Sequence, residues 1–102
     1  MEINIIKIDV QYFEGCPHAA EAFALAKKFR EENPSVEIDF LEVKDNNHAA
    51  RIQFRGSPTI LINGKDWLGE PAPENPSLSC RFYPHGLPDF KRFKQILAKF
   101  SD

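Results

Sequence analysis

Cysteine is scarce in this chain: two occur among 102 residues. That is too few for a disulfide framework and points to a reducing compartment. There is no basic excess either. The net charge of −2 offers nothing to nucleic acid or to an anionic membrane surface. No apolar run approaches the length of a membrane span. The short apolar run at the N-terminus is interrupted by Lys7 and Asp9, which reads against a signal peptide. Asn33 and Asn75 each open an Asn-x-Ser triplet, but proline fills the middle position and voids both as glycosylation sites. Repeats and low-complexity tracts are also missing. These absences leave a single domain, residues 1–102, with the cytoplasm as its default location. The material for a core is present, since 42% of residues are hydrophobic and nine are phenylalanine.

Hydrophobic periodicity divides the domain into elements. Ile6, Ile8, Val10 and Tyr12 alternate with Lys7, Asp9 and Gln11, which predicts a strand over residues 3–12 with a thinly covered second face. Ala19, Ala22, Phe23, Ala26 and Phe29 recur at three- and four-residue steps, so a helix with one buried stripe is expected over 17–32. Pro17 suits its first position and Asn33-Pro34 ends it. Val36, Ile38 and Phe40 open a second strand that runs to about Val43, parallel to the first. Residues 45–54 suit a short helix, and Thr59 to Ile62 a third strand closed by Asn63-Gly64. Residues 65–77 hold three prolines and no apolar period, so they read as a loop. Leu78, Cys80 and Phe82 alternate with Ser79, Arg81 and Tyr83, which predicts a last strand. Phe90, Phe93, Leu97 and Phe100 mark a final helix opened by Pro88-Asp89.

The chemistry centres on Tyr12-Phe13-Glu14-Gly15-Cys16-Pro17-His18-Ala19, between first strand and first helix. A cysteine there meets unpaired N–H groups and the positive end of the helix dipole, which favour a thiolate. The thiolate is the nucleophile and the metal ligand. The plainer reading makes Cys16 a small apolar filler at a strand end.

Two motifs in this β-α-β-α-β-β-α order resemble the thioredoxin-like superfamily. Gly15-Cys16-Pro17-His18 lies where that family keeps its reactive cysteine, and its last three residues match the start of the Cys-Pro-His-Cys motif of bacterial disulfide oxidases. Gly56-Ser57-Pro58-Thr59, ahead of the third strand, resembles the family's cis-proline loop. The resemblance implies a minimal thioredoxin fold, an α/β domain whose central mixed four-stranded sheet is flanked by helices. It implies a cis bond before Pro58, packed beside Cys16. It also implies that Ser57 has a backbone free to pair with an extended substrate, so that Ser57, Pro58 and Thr59 position the partner. Cys16 would be the nucleophile, with Pro17 and His18 beside it and His18 stabilising the thiolate.

The fourth motif position departs from the dithiol pattern, because Ala19 stands where a second cysteine would be. A monothiol thiol–disulfide oxidoreductase is therefore expected, as in monothiol glutaredoxins. Its mixed disulfide would await glutathione, another thiol, or the second cysteine of the chain. Its partners would be protein or small-molecule thiols and disulfides, with no nucleic acid or membrane involved and no cofactor. Ser79-Cys80-Arg81-Phe82-Tyr83 is similar to a stretch in small thioredoxin-like proteins loosely grouped with alkylmercury lyase, which marks Cys80 as a second thiol. On a last strand two strand spacings away, Cys80 would lie roughly 10 Å to the side of Cys16, beyond the Cα separation of about 7 Å that a disulfide tolerates. Its plain reading is a buried apolar position on that strand. Cys16, His18, Cys80 and His85 match no zinc spacing, so no metal is expected. Two readings compete with the oxidoreductase. One is a non-enzymatic binding module on the same scaffold. The other is a thiolate binder of a soft metal or organomercurial through Cys16 and Cys80. Trp67 is read as a structural plug, and His48 and His85 as surface residues.

Overall fold

The computed structural model describes Ile5 and residues 7–100. Residues 3, 4 and 6 of the predicted first strand lie outside the described residues. The elements run β1 (Lys7–Tyr12), α1 (Ala19–Glu32), β2 (Glu37–Glu42), α2 (Asn46–Ile52), β3 (Thr59–Ile62), β4 (Lys65–Asp66) and α3 (Phe90–Ala98). The sheet order is β2-β1-β3-β4. Strand β1 is parallel to β2, with Val10 beside Phe40, and antiparallel to β3, with Val10 beside Ile60. This mixed four-stranded sheet with its three helices is the minimal thioredoxin arrangement.

Alternation decides which face is covered. Ile8, Val10, Ile60 and Ile62 are fully buried and meet Ala22, Ala26 and Phe29 of α1 and Phe93 and Leu97 of α3. Phe29 and Phe93 stack edge to face at 6.1 Å and join the two helices. Trp67 is a core residue here, against Tyr83 and Phe93. The other face of β1 is more polar. Lys7 bridges Asp9 at 3.4 Å and Asp39 at 2.9 Å across to β2. Gln11, on the same face, is nonetheless buried. A smaller cluster of Val43, Ala49 and Phe54 seats α2.

Local chemistry sets the element ends. Asp45 and Asp89 accept from the N–H groups of His48 and Arg92, at 2.7 and 2.8 Å, and cap α2 and α3. Asn63 and Gly64 both hold positive φ, as the tight turn from β3 to β4 requires. Two expectations need correction. The predicted loop 65–77 contributes β4 at its start, pinned to β3 by that turn. The predicted strand over 78–83 does not form; its one sheet-like contact is an isolated parallel bridge between Ser57 and Cys80. Leu78 and Phe82 are 38% and 83% exposed, so their alternation buries no face that would hold a strand.

Candidate thiol site

The turn after β1 places the first sulfur. Cys16 N–H donates to Phe13 O at 3.2 Å, and Ala19 N–H donates to Cys16 O at 3.3 Å. Helix α1 starts at Ala19 with His18 as its N-cap, so Pro17 is not the first helical residue. Cys16 stands two residues ahead of the cap rather than in the first turn. Its Sγ donates to Ser57 O at 3.5 Å, and the residue is 8% exposed. Phe13 N–H donates to Ser57 Oγ at 3.3 Å, a second tie between the turn and the loop before β3. The peptide bond between Ser57 and Pro58 is cis.

The expectation that the Ser57 backbone is free for a substrate is overturned. Ser57 N–H donates to Ser79 O at 2.8 Å, and Ser57 O accepts from Arg81 N–H at 2.9 Å. The chain's own residues 79–81 fill that place. The placement of Cys80 is corrected with it. Cys80 is exposed, not buried on a last strand. It is the bridge partner of Ser57, the residue whose carbonyl also holds Cys16. Ser57 is thus shared by both cysteines, through its bridge to Cys80 and its carbonyl on Cys16. The expected sideways gap presumed that 78–83 adds a strand beyond β3. The segment instead crosses the mouth of the β1–α1 turn. Local desolvation, then the charge of Cys16, push the Cys80 thiol above its ordinary value.

Three anchors hold this strap, and one of their residues, Asp66, carried no sequence signal. Arg81 forks onto Asp66 of β4, with Nη1–Oδ1 at 2.6 Å and Nη2–Oδ2 at 3.1 Å. Both side chains are buried, at 7% and 2% exposure. Asp66 Oδ2 also accepts from the N–H groups of Leu68 and Glu70. Burial works against the Asp66 charge, but Arg81 and these N–H groups outweigh it and hold the carboxyl below its ordinary value. Tyr83 Oη donates to Pro58 O at 2.5 Å. Burial pushes this phenol up to about 12, so it remains a donor at neutral pH. The third anchor is steric. Gly56 has φ +104°, and a Cβ there would lie 2.8 Å from Arg81 backbone atoms. Only glycine lets the strap come this close.

The other expected residues divide. His18 pairs its Nδ1 with Glu21 Oε1 at 3.2 Å, at the surface. Pro17 and His18 line a groove of about 390 Å³ whose other wall is Cys80, Phe82, Tyr83 and Leu87. Thr59 is fully buried and donates to Gly56 O at 2.6 Å, so its hydroxyl shapes the loop and faces no substrate. His48 hydrogen-bonds to Lys44 N–H, at the surface. Among the described residues, no three His, Cys, Asp or Glu side chains gather as a metal site. No helix of the described residues is long and apolar enough to cross a membrane. A larger hollow of about 620 Å³ lies between β4 and α3, lined by Arg55, Trp67 and Arg92, and holds neither thiol.

No known protein family matches this chain, nor does any curated protein or solved structure.

Proposed function

We propose that the protein is a thioredoxin-like thiol–disulfide oxidoreductase in which Cys16 attacks the disulfide of a protein or small molecule, glutathione included. The observation that carries this reading is the Cys16 Sγ–Ser57 O contact of 3.5 Å. It fixes a sulfur at a strand-to-helix turn against the loop before β3, and a fixed sulfur attacks along one line. Ala19 excludes a resolving thiol within the motif, so the first product is a mixed disulfide on Cys16. The cytoplasm, where thiols stay reduced between turnovers, suits this chemistry.

The test is direct. Reduced protein is mixed with oxidised glutathione and mapped by mass spectrometry. The expected result is that Cys16 leaves the free-thiol state, as a mixed disulfide with glutathione or as a disulfide formed from one, and that Cys16→Ser takes up no glutathione at that position. A Cys16 that stays unmodified under conditions that modify free thiols removes the proposal.

One observation favours a second reading. Ser57, bridged to Cys80 and bonded to Cys16 through its carbonyl, answers the separation objection to a two-thiolate site for a soft cation or an organomercurial. Titration with mercuric ion separates the readings: tight uptake lost in either single Cys→Ser variant, with no glutathione exchange, supports the binder.

A further inference from the structure

The oxidoreductase reading places one attacking thiol and leaves its mixed disulfide unresolved. The second cysteine lies 64 positions along the chain (80 − 16). The fold nevertheless brings it to the first, by way of one residue. Ser57 O accepts from Cys16 Sγ at 3.5 Å and from Arg81 N–H at 2.9 Å. Ser57 N–H donates to Ser79 O at 2.8 Å. Cys80 is therefore bracketed by the two backbone bonds that hold Ser57, the residue already touching Cys16. The bracket is built from several sides. Gly56 admits the strap, Arg81 is forked onto buried Asp66, and Tyr83 is bonded to Pro58 O. A segment that merely wandered past would have no such set of ties.

We infer that Cys80 is the resolving thiol of this site, so that Cys16 and Cys80 form a reversible dithiol–disulfide couple. This rests on the reading of Cys16 as the attacking thiol. In the first step the Cys16 thiolate attacks a disulfide R–S–S–R. A Cys16–S–S–R bond forms, and one R–S⁻ leaves and takes a proton. In the second step Cys80 gives up its proton and its sulfur attacks Cys16 Sγ. The Cys16–Cys80 bond forms, the bond from Cys16 to R–S breaks, and the second R–S⁻ leaves with that proton. Two protein thiols are oxidised and one disulfide is reduced to two thiols. The oxidant is the substrate disulfide itself.

The arrangement suits the order of steps. Cys80 is held above its ordinary thiol value, so it keeps its proton while Cys16 reacts. Once Cys16 carries R–S, the strap holds Cys80 at close range. The resolving attack is then intramolecular, at an effective concentration no dilute external thiol matches. The segment that fills the expected substrate place thereby gains a role: its own cysteine closes the cycle.

The experiment uses full-length reduced protein, oxidised glutathione as probe, and no other thiol. Wild type, Cys80→Ser and Cys16→Ser are followed by intact mass and by non-reducing peptide maps. The expected wild-type product is protein without glutathione, its peptides joined through Cys16 and Cys80. Cys80→Ser is expected to stop with glutathione on Cys16 and to hold it until dithiothreitol is added. If wild type retains glutathione on Cys16 as Cys80→Ser does, with no internal link, the inference is overturned while exchange at Cys16 stands. If glutathione settles on Cys80 with Cys16 free, the assignment of the two thiols is overturned. If Cys16 reacts in neither protein, the exchange reading itself falls, and this inference with it. Circular dichroism of each variant establishes that the fold persists. Cys80 is exposed, so its replacement by serine empties no core site.

Discussion

The two cysteines are held by different kinds of structure. Cys16 sits in a turn joining β1 to α1, and the elements around it form by local rules: alternation before it, a buried helical stripe after it. Cys80 belongs to no helix or strand. Its position depends on Ser57, Asp66 and Pro58, which contact Ser79, Arg81 and Tyr83 across 15 to 25 positions of sequence. A site assembled from one local and one remote half should respond unevenly to mutation. Changes to the remote anchors should move Cys80 and leave Cys16 where it is.

The largest effect is expected at the buried ion pair. Asp66→Asn leaves Arg81 buried without its charge partner, and losing one member of such a pair costs about 3–5 kcal/mol. Urea unfolding at neutral pH should show that loss, and the Cys16–Cys80 link should form more slowly than glutathione enters at Cys16. An unchanged urea midpoint would mean the strap is not anchored there. The same pair predicts a pH response. The folded carboxyl lies below its unfolded value of about 3.9. Its contribution is therefore complete above that value and is lost as pH falls through the lower, folded one. Asp66→Asn should flatten this part of the acid limb, which a stability–pH profile of both proteins would measure.

Gly56→Ala comes next. It forces a Cβ against the Arg81 backbone at positive φ, a strain on the order of 1–3 kcal/mol. Thermal unfolding should fall accordingly, with slower resolution and an unchanged first attack. Equal slowing of both steps would erase the distinction between the two halves. Tyr83→Phe removes the donor to Pro58 O and should cost about 1 kcal/mol, read by the same unfolding assay. The smallest effect is expected on the local side. His18→Ala breaks only an exposed contact with Glu21, worth about 0.2–1 kcal/mol at most, and should leave the rate of glutathione entry at Cys16 nearly unchanged. A large drop in that rate would put His18 back in the chemistry.

The same division explains what could be read from the chain alone. β1, α1 and α3 show clear periods because each buries one face against the core, and burial writes itself into spacing. Cys16 was legible for that reason: it marks the place where one period stops and another starts. Leu78, Cys80 and Phe82 show the limit of the method. They alternate as a strand does, yet Phe82 is 83% exposed and the segment makes a single bridge. β4 has only two residues, too few for any period. The nearness of the cysteines was missed because ideal strand spacing was applied to a strand that does not form. Asp66 looked like an ordinary charged loop residue and Arg81 like the polar face of a strand, and only their pairing across 15 positions buries them.

The margins of the sheet carry a consequence of their own. One border, β4, offers two residues. The other, β2, carries Glu37, Asp39 and Glu42 along its length, beside the half-exposed Phe40 and Leu41. Apolar side chains on an open border invite a neighbouring molecule to add its own ribbon, and a row of like charges discourages it. Concentrated solutions should therefore stay dispersed near neutrality. Acidification that neutralises this fringe, or Glu37→Val with Asp39→Val, should bring on self-association visible by light scattering.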